Sequence, residues 1–252
     1  MSGPLFVIGL GPGDVALLTT EAQAALDQCT DLFGYLPYVE RLPDRPGQCR
    51  HTSDNREELR RAQAALALAA EGRAVGVVSG GDPGVFAMAS AVFEAIESGP
   101  AHWRGLDVRV IPGISAMLAA AARIGAPLGH DFAVVSLSDN LKPWELVVRR
   151  LGAAASAGFA LALYNPVSRA RPWQLGAALD HLRGILPSDT PVVFATAVTR
   201  AEERLEIVTL ATAEPARADM RTLVLIGTAE TRRIPRGDGR PDWIYAPRRA
   251  SA

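Results

Sequence analysis

Three times in the first 115 residues the chain runs from a short apolar segment straight into a glycine-bearing loop: GLGPGD at 9–14, SGGDPG at 79–84 and PGIS at 112–115. The segments feeding these loops, 5–10, 74–79 and 106–111, are rich in Val, Ile and Leu and too short for buried helices, so they read as strands. In an open parallel sheet, ligands bind beyond the carboxyl ends of the strands. Three such loops on one edge make a ligand cleft, where glycine lets the backbone approach closely. One glycine loop alone is no more than a tight turn requires.

The intervening segments alternate with the strands as helices. Thr20 can cap a helix through residue 29, followed by a short strand at 31–34 and a turn-rich stretch over 35–52. Ser53 or Asp54 caps a helix to about residue 72, with Leu59, Ala62, Leu66 and Ala69 on one face. Asp82 suits an N-cap and Pro83 the first helical position, which predicts a helix from there to residue 97. An alanine-rich helix over 116–124 follows PGIS. The pattern then restarts, with strands at 132–137, 159–163 and 192–197 and helices at 144–151 and 173–186. Strands at 204–209 and 222–226 have no long helix between them, which predicts an antiparallel finish. The fold class is therefore α/β, as two α/β domains, 1–113 and 114–235. The tail 236–252, rich in Arg, Pro and Gly, is expected to be loosely ordered, with Trp243 and Tyr245 able to dock on the surface.

Composition removes several function classes. Hydrophobic residues make up 48%, enough for a substantial core, and 26 basic residues against 27 acidic ones give a net charge of -1. That balance offers no electrostatic reason to bind nucleic acid or an anionic membrane. No run of 18 apolar residues and no basic N-terminal stretch occur, so a cytoplasmic protein is expected. Cys29 and Cys49 read as free thiols, and the four histidines lack metal-ligand spacing, so no metal site is expected.

The loops also narrow the ligand. The first is G-x-G-x-G-D, not the dinucleotide pattern G-x-G-x-x-G, and no P-loop is present. Asp14 and Asp82 would sit beside any phosphate and oppose it. They tolerate a phosphate-free cofactor carrying a positive sulfonium. A nucleotide-binding oxidoreductase is the less favoured reading on these grounds.

At GLGPGD, SGGDPGVFAMA (79–89) and VIPGISA (110–116) the chain resembles the tetrapyrrole methylases, in motif order and in separation. GYLPY (34–38), SLSDNLKPWE (136–145) and LYNPVSRARP (163–172) resemble that family's C17-methylating, ring-contracting branch, and the likeness spans roughly 3–234. The resemblance implies a class III methyltransferase-like fold with S-adenosyl-L-methionine in a cleft between two α/β domains, and a homodimer. It implies methylation of precorrin-3B at C17 with contraction of the macrocycle, in cobalamin biosynthesis; the alternatives are the cobalt-bearing substrate of the anaerobic route or, as in another tetrapyrrole methylase, another carbon of the ring. Carried over, the cofactor contacts are Pro12, Gly80, Gly81, Asp82, Val85, Ser115, Ala116, Asn165 and Ala197. Asn165 stands where several relatives carry Met, and Ala197 where several carry Gly. A backbone contact at Ala197 is then expected to require a negative φ.

Methyl transfer to a ring carbon needs positioning and exclusion of water, and no protein nucleophile. Ring contraction calls for a base at a hydroxyl-bearing carbon or a donor to a departing lactone oxygen. The candidates are Asp139, Ser138 and Tyr35, although Asp139 also suits a turn ahead of the next helix. Lys142, Arg169 and Arg171 lie in the two branch-like loops and suit the carboxylates of a tetrapyrrole.

Overall fold

A computed structural model describes residues 2–249. The chain divides into two compact units, Met1–Ser115 and Ala116–Ala252.

The first unit contains β1 (Leu5–Gly9), α1 (Thr20–Gln28), β2 (Asp31–Tyr35), α2 (Leu36–Val39), β3 (Cys49–Ser53), α3 (Glu58–Ala70), β4 (Val75–Ser79), α4 (Met88–Ser98) and β5 (Val108–Ile111). Its sheet is parallel throughout, in the order β3-β2-β4-β1-β5. The central strands are apolar on both faces because helices cover both. Leu5 and Val7 of β1, with Val75 and Val77 of β4, pack in one cluster with Ala62, Leu66 and Val92 from α3 and α4. Phe6 and Ile8 face the other way, against Ala22 and Leu26 of α1. The order places β4, β1 and β5 side by side, and these are the three strands that run into the glycine loops.

The second unit contains α5 (Ala116–Ile124), β6 (Gly125–Ala126), β7 (Phe132–Ser136), α6 (Trp144–Ser156), β8 (Ala160–Tyr164), α7 (Gln174–Arg183), β9 (Pro191–Thr196), β10 (Arg204–Thr209), β11 (Thr222–Ile226), β12 (Arg232–Ile234) and β13 (Trp243–Tyr245). Its main sheet runs β10-β9-β11-β8-β7. Only β7 and β8 pair in parallel; β8, β11, β9 and β10 pair antiparallel, the finish expected from the missing helices. No helix among the described residues is long and apolar enough to cross a membrane.

Several local expectations are corrected. Thr19, not Thr20, caps α1, accepting from the Ala22 N–H at 3.1 Å. The third helix starts at Glu58, because Arg56 at φ 71 turns the chain after the Ser53–Asp54 pair. The stretch 35–52 contains α2 and β3; β3 (CRHTS) is a polar edge strand and lacks the apolar signature of the others. The fourth helix begins at Met88, not Pro83, because Phe86 at φ 51 breaks the turn that Pro83 starts. The segment from 236 was expected to be loosely ordered, yet β13 pairs with β12 on one side and β6 on the other. Ile244 is buried there, and the Arg236 guanidinium lies 4.1 Å from the Trp243 ring centroid. Residues 250–252 of that expected tail lie outside the described residues.

Candidate active site

The glycine loops of the first unit are joined to one another by backbone. The Leu10 N–H donates to Ser79 O at 2.8 Å, and Gly11 and Gly81 exchange N–H···O bonds of 3.2 and 2.8 Å. The spacing leaves no room for side chains. A Cβ on Gly113 would lie 2.3 Å from Gly81 O, and one on Gly9 would lie 2.7 Å from Gly113 N. The glycines at 9 and 113 are therefore required for loop to meet loop, a use the sequence did not distinguish from close approach of a ligand.

Asp82 completes the junction. Its Oδ1 accepts from the Gly84 N–H at 2.8 Å and its Oδ2 from the Gly113 N–H at 3.1 Å. Both carboxylate oxygens are thus engaged by loop backbone, the first in the bond an N-cap makes, but Phe86 at φ 51 takes the chain out of the helical region three residues past Pro83. The helix waits until Met88, whose N–H reaches Ser79 Oγ at 3.3 Å. Around this junction Pro12 and Ser115 are buried, while Gly80, Gly81 and Val85 are half-buried. Asp14 turns away to cap the short turn Val15–Leu17, accepting from the Ala16 N–H at 2.9 Å. Arg41 lies behind the first loop, its guanidinium 3.3 to 3.4 Å from the carbonyls of Leu10, Gly11 and Gly13. Tyr38 packs on the second loop so closely that a Cβ on Gly80 would meet its ring at 2.9 Å. Tyr35 meets Tyr38 edge to face, with centroids 5.4 Å apart.

The second unit gathers a different kind of cluster beyond the ends of its parallel pair, β7 and β8. Ser136, the last residue of β7, is buried, and its Oγ accepts from Asn165 Nδ2 at 2.9 Å and from the Ser138 N–H at 3.3 Å. Asn165 follows β8 at φ 52, a left-handed position that Asn tolerates better than most residues. Its carbonyl accepts from Arg171 at 3.0 Å. Asp139 Oδ2 accepts from Nε2 of Gln174, which opens α7 and is only 2% exposed. Trp144 and Trp173 meet edge to face at 5.1 Å. Burial, and then the charge of Arg150, hold the Lys142 ammonium below the usual lysine range.

The structure thus brings Ser138, Asp139, Asn165 and Arg171 into one neighbourhood. Arg169 is exposed. Ala116 opens α5, where Tyr164 Oη accepts from the next amide, Met117 N–H, at 3.1 Å. Ala197 is buried with φ 49, so the negative φ that a backbone contact there would require is not present. Bonds from its N–H to Arg221 O and from the Arg200 N–H to its carbonyl, both 3.0 Å, hold it left-handed despite its methyl group. The sequence did not single out Ser136, Gln174, Arg41 or Tyr38. A glutamine that opens an otherwise apolar helix face was the available signal for Gln174.

The fold, an all-parallel sheet with glycine loops on adjacent strands followed by a mixed-sheet unit, has counterparts among solved methyltransferases. The crystal structure of the methyltransferase CobJ superposes with a TM-score of 0.93 at 53% identity, covering 98% of this chain and 100% of that one. The uroporphyrin-III C-methyl transferase from Thermus thermophilus, solved in complex with S-adenyl homocysteine, shares the fold at TM-score 0.66 and 24% identity, covering 89% of this chain and 92% of its own. The chain belongs to the tetrapyrrole (corrin/porphyrin) methylases, whose family profile matches residues 4–214. It is 56% identical over 248 residues to the precorrin-3B C(17)-methyltransferase of Sinorhizobium sp, covering 98% of this chain and 97% of that one.

Proposed function

We propose that the protein transfers a methyl group from S-adenosyl-L-methionine to C17 of precorrin-3B, with ring contraction to precorrin-4, in cobalamin biosynthesis. The observation that carries this reading is the 56% identity to the Sinorhizobium enzyme over nearly the full length of both chains. The reading includes a homodimer at work in the cytoplasm.

The donor set of the first unit fits the cofactor. Its loops present glycine backbone and the Asp82 carboxylate, with neither a dinucleotide nor a P-loop pattern. S-adenosyl-L-methionine supplies an electrophilic methyl group on a positively charged sulfur. The residues assigned to hold it are Pro12, Gly80, Gly81, Asp82, Val85 and Ser115 in the first unit and Ala116 and Asn165 in the second; Ala197, at φ 49, does not meet the condition for a backbone contact. Because Asp82 is already anchored at both oxygens, its charge is fixed before any ligand arrives, which is electrostatic preorganisation. In the second unit, Lys142, Arg169 and Arg171 are assigned to substrate carboxylates, and Arg171 is steadied by the Asn165 carbonyl. Asp139 is assigned as the base that takes the hydroxyl proton during ring contraction. Ser138, and Tyr35 in the first unit, are assigned as hydrogen-bond donors to substrate oxygen.

The test is conversion of substrate. Purified protein is incubated with methyl-labelled S-adenosyl-L-methionine and either metal-free precorrin-3B or its cobalt-bearing counterpart, and products are followed by mass and absorbance. Methyl gain with ring contraction on the metal-free substrate is the expected result. Turnover of the cobalt form alone overturns the substrate assignment.

A further inference from the structure

We infer that Gln174 is a positioning residue for Asp139, fixing one carboxylate oxygen so that the other is presented to the substrate hydroxyl. This rests on the assignment of Asp139 as the base of ring contraction.

Three features of the second unit carry it. First, Gln174 Nε2 donates to Asp139 Oδ2 at 3.1 Å across 35 residues of chain, and Gln174 is 2% exposed, so the donor cannot swing away into solvent. Second, Asp139 is half-buried, and among the described residues its Oδ1 accepts no hydrogen bond and no basic group lies within ion-pair distance. One oxygen is tethered and the other remains available to accept a proton. Third, the buried Oε1 of Gln174 has no hydrogen-bond partner. A buried orphan acceptor is destabilising, and an apolar side chain of the same shape would avoid that cost. Packing alone therefore gives no reason for an amide here, whereas the donor to Asp139 does.

The step it serves is balanced. The substrate hydroxyl proton passes to Asp139 Oδ1, and the O–H electron pair becomes the π bond of a new carbonyl. The adjacent ring carbon–carbon bond migrates to the neighbouring carbon. The lactone carbon–oxygen bond at that carbon breaks, and its pair leaves on the carboxylate oxygen. A rigid carboxylate matters because small errors in placing a reacting group are costly in rate.

The experiment uses the full-length enzyme with metal-free precorrin-3B and labelled S-adenosyl-L-methionine. Gln174→Met and Gln174→Leu both place an apolar side chain of similar volume there and remove the donor. Each is expected to slow formation of the ring-contracted product about tenfold, with the KM for the methyl donor unchanged. Gln174→Met is expected to melt no lower than the parent, since it removes the orphaned oxygen. Asp139→Asn is expected to cost about 100-fold, and the double variant Gln174→Met with Asp139→Asn to cost no more than Asp139→Asn alone. Should either Gln174 variant fail to fold, the other supplies the cycle. A parental rate in a folded Gln174 variant, or additive losses in the double variant, overturns the inference while leaving Asp139 in place. A parental rate for Asp139→Asn removes the base assignment, and this inference with it.

Discussion

The loops of the first unit and those of the second reach the same end, a defined surface beyond the strand ends, by opposite means. In the first, the contact is mainly backbone on backbone: Gly11 and Gly81 pair directly, and the Leu10 N–H sits on Ser79 O. In the second, side chain meets side chain: Asn165 on Ser136, Gln174 on Asp139, Trp144 on Trp173. A backbone junction depends on the absence of side chains at a few positions and is indifferent to most other residues. A side-chain junction is rewritten whenever its residues change. The first arrangement suits a ligand that relatives share, and the second one by which relatives differ.

The comparison can be broken at four points. The largest effect is expected at Gly113. In Gly113→Ala the new Cβ would collide with Gly81 O, and backbone cannot yield as a flexible side chain does. A loss of about 3 kcal/mol in denaturant unfolding is expected, with loss of cofactor binding by calorimetry; an alanine variant of parental stability would show that the loops are not in fixed contact. Next, Asp139→Asn should reduce ring-contracted product about 100-fold, equivalent to about 2.7 kcal/mol of barrier, without a change in melting temperature. A matching fall in stability would show that the cluster is structural. Third, Asp82→Ala removes the acceptor for two loop amides and should destabilise by about 2 kcal/mol, with weaker cofactor binding measured in the same titration. If binding weakens while stability holds, Asp82 acts on the ligand and not on the junction. Smallest is Ala197→Gly. It relieves a left-handed alanine but loosens the unfolded chain, so a net gain of about 0.5 kcal/mol is expected; a clear loss would mean that the methyl group packs usefully.

The same contrast explains what was legible. β1 (LFVIG) and β4 (VGVVS) are buried along their whole length, so both faces must be apolar and the run announces itself. The glycines beside them were equally plain, although their use was not. Asp82 misled because its local bond to Gly84 is the one an N-cap makes, yet Phe86 breaks the helix it would start, and its second partner, Gly113, is 31 residues away. β3 was hidden because an edge strand with exposed Cys49 and Thr52 has no apolar period. β13 was hidden because it depends on one buried residue, Ile244, and on pairing with distant β6. The Gln174–Asp139 pair, separated by 35 residues, leaves no trace in spacing, since nothing in a linear pattern brings a helix start to a loop after another strand.

The pairing of β13 with β6 also bears on how the chain matures during synthesis. Every strand of the first sheet has been made once Ile111 emerges, so that unit can fold while the ribosome is still at work. The second cannot close its small sheet until Ile244 is available to lie beside Gly125. Until then β6 and the end of α5 wait with an open edge, a long-range closure of the kind that slows folding. A stalled or prematurely ended translation product would therefore carry a finished first half and an unsealed second, the form that quality-control proteases are expected to recognise.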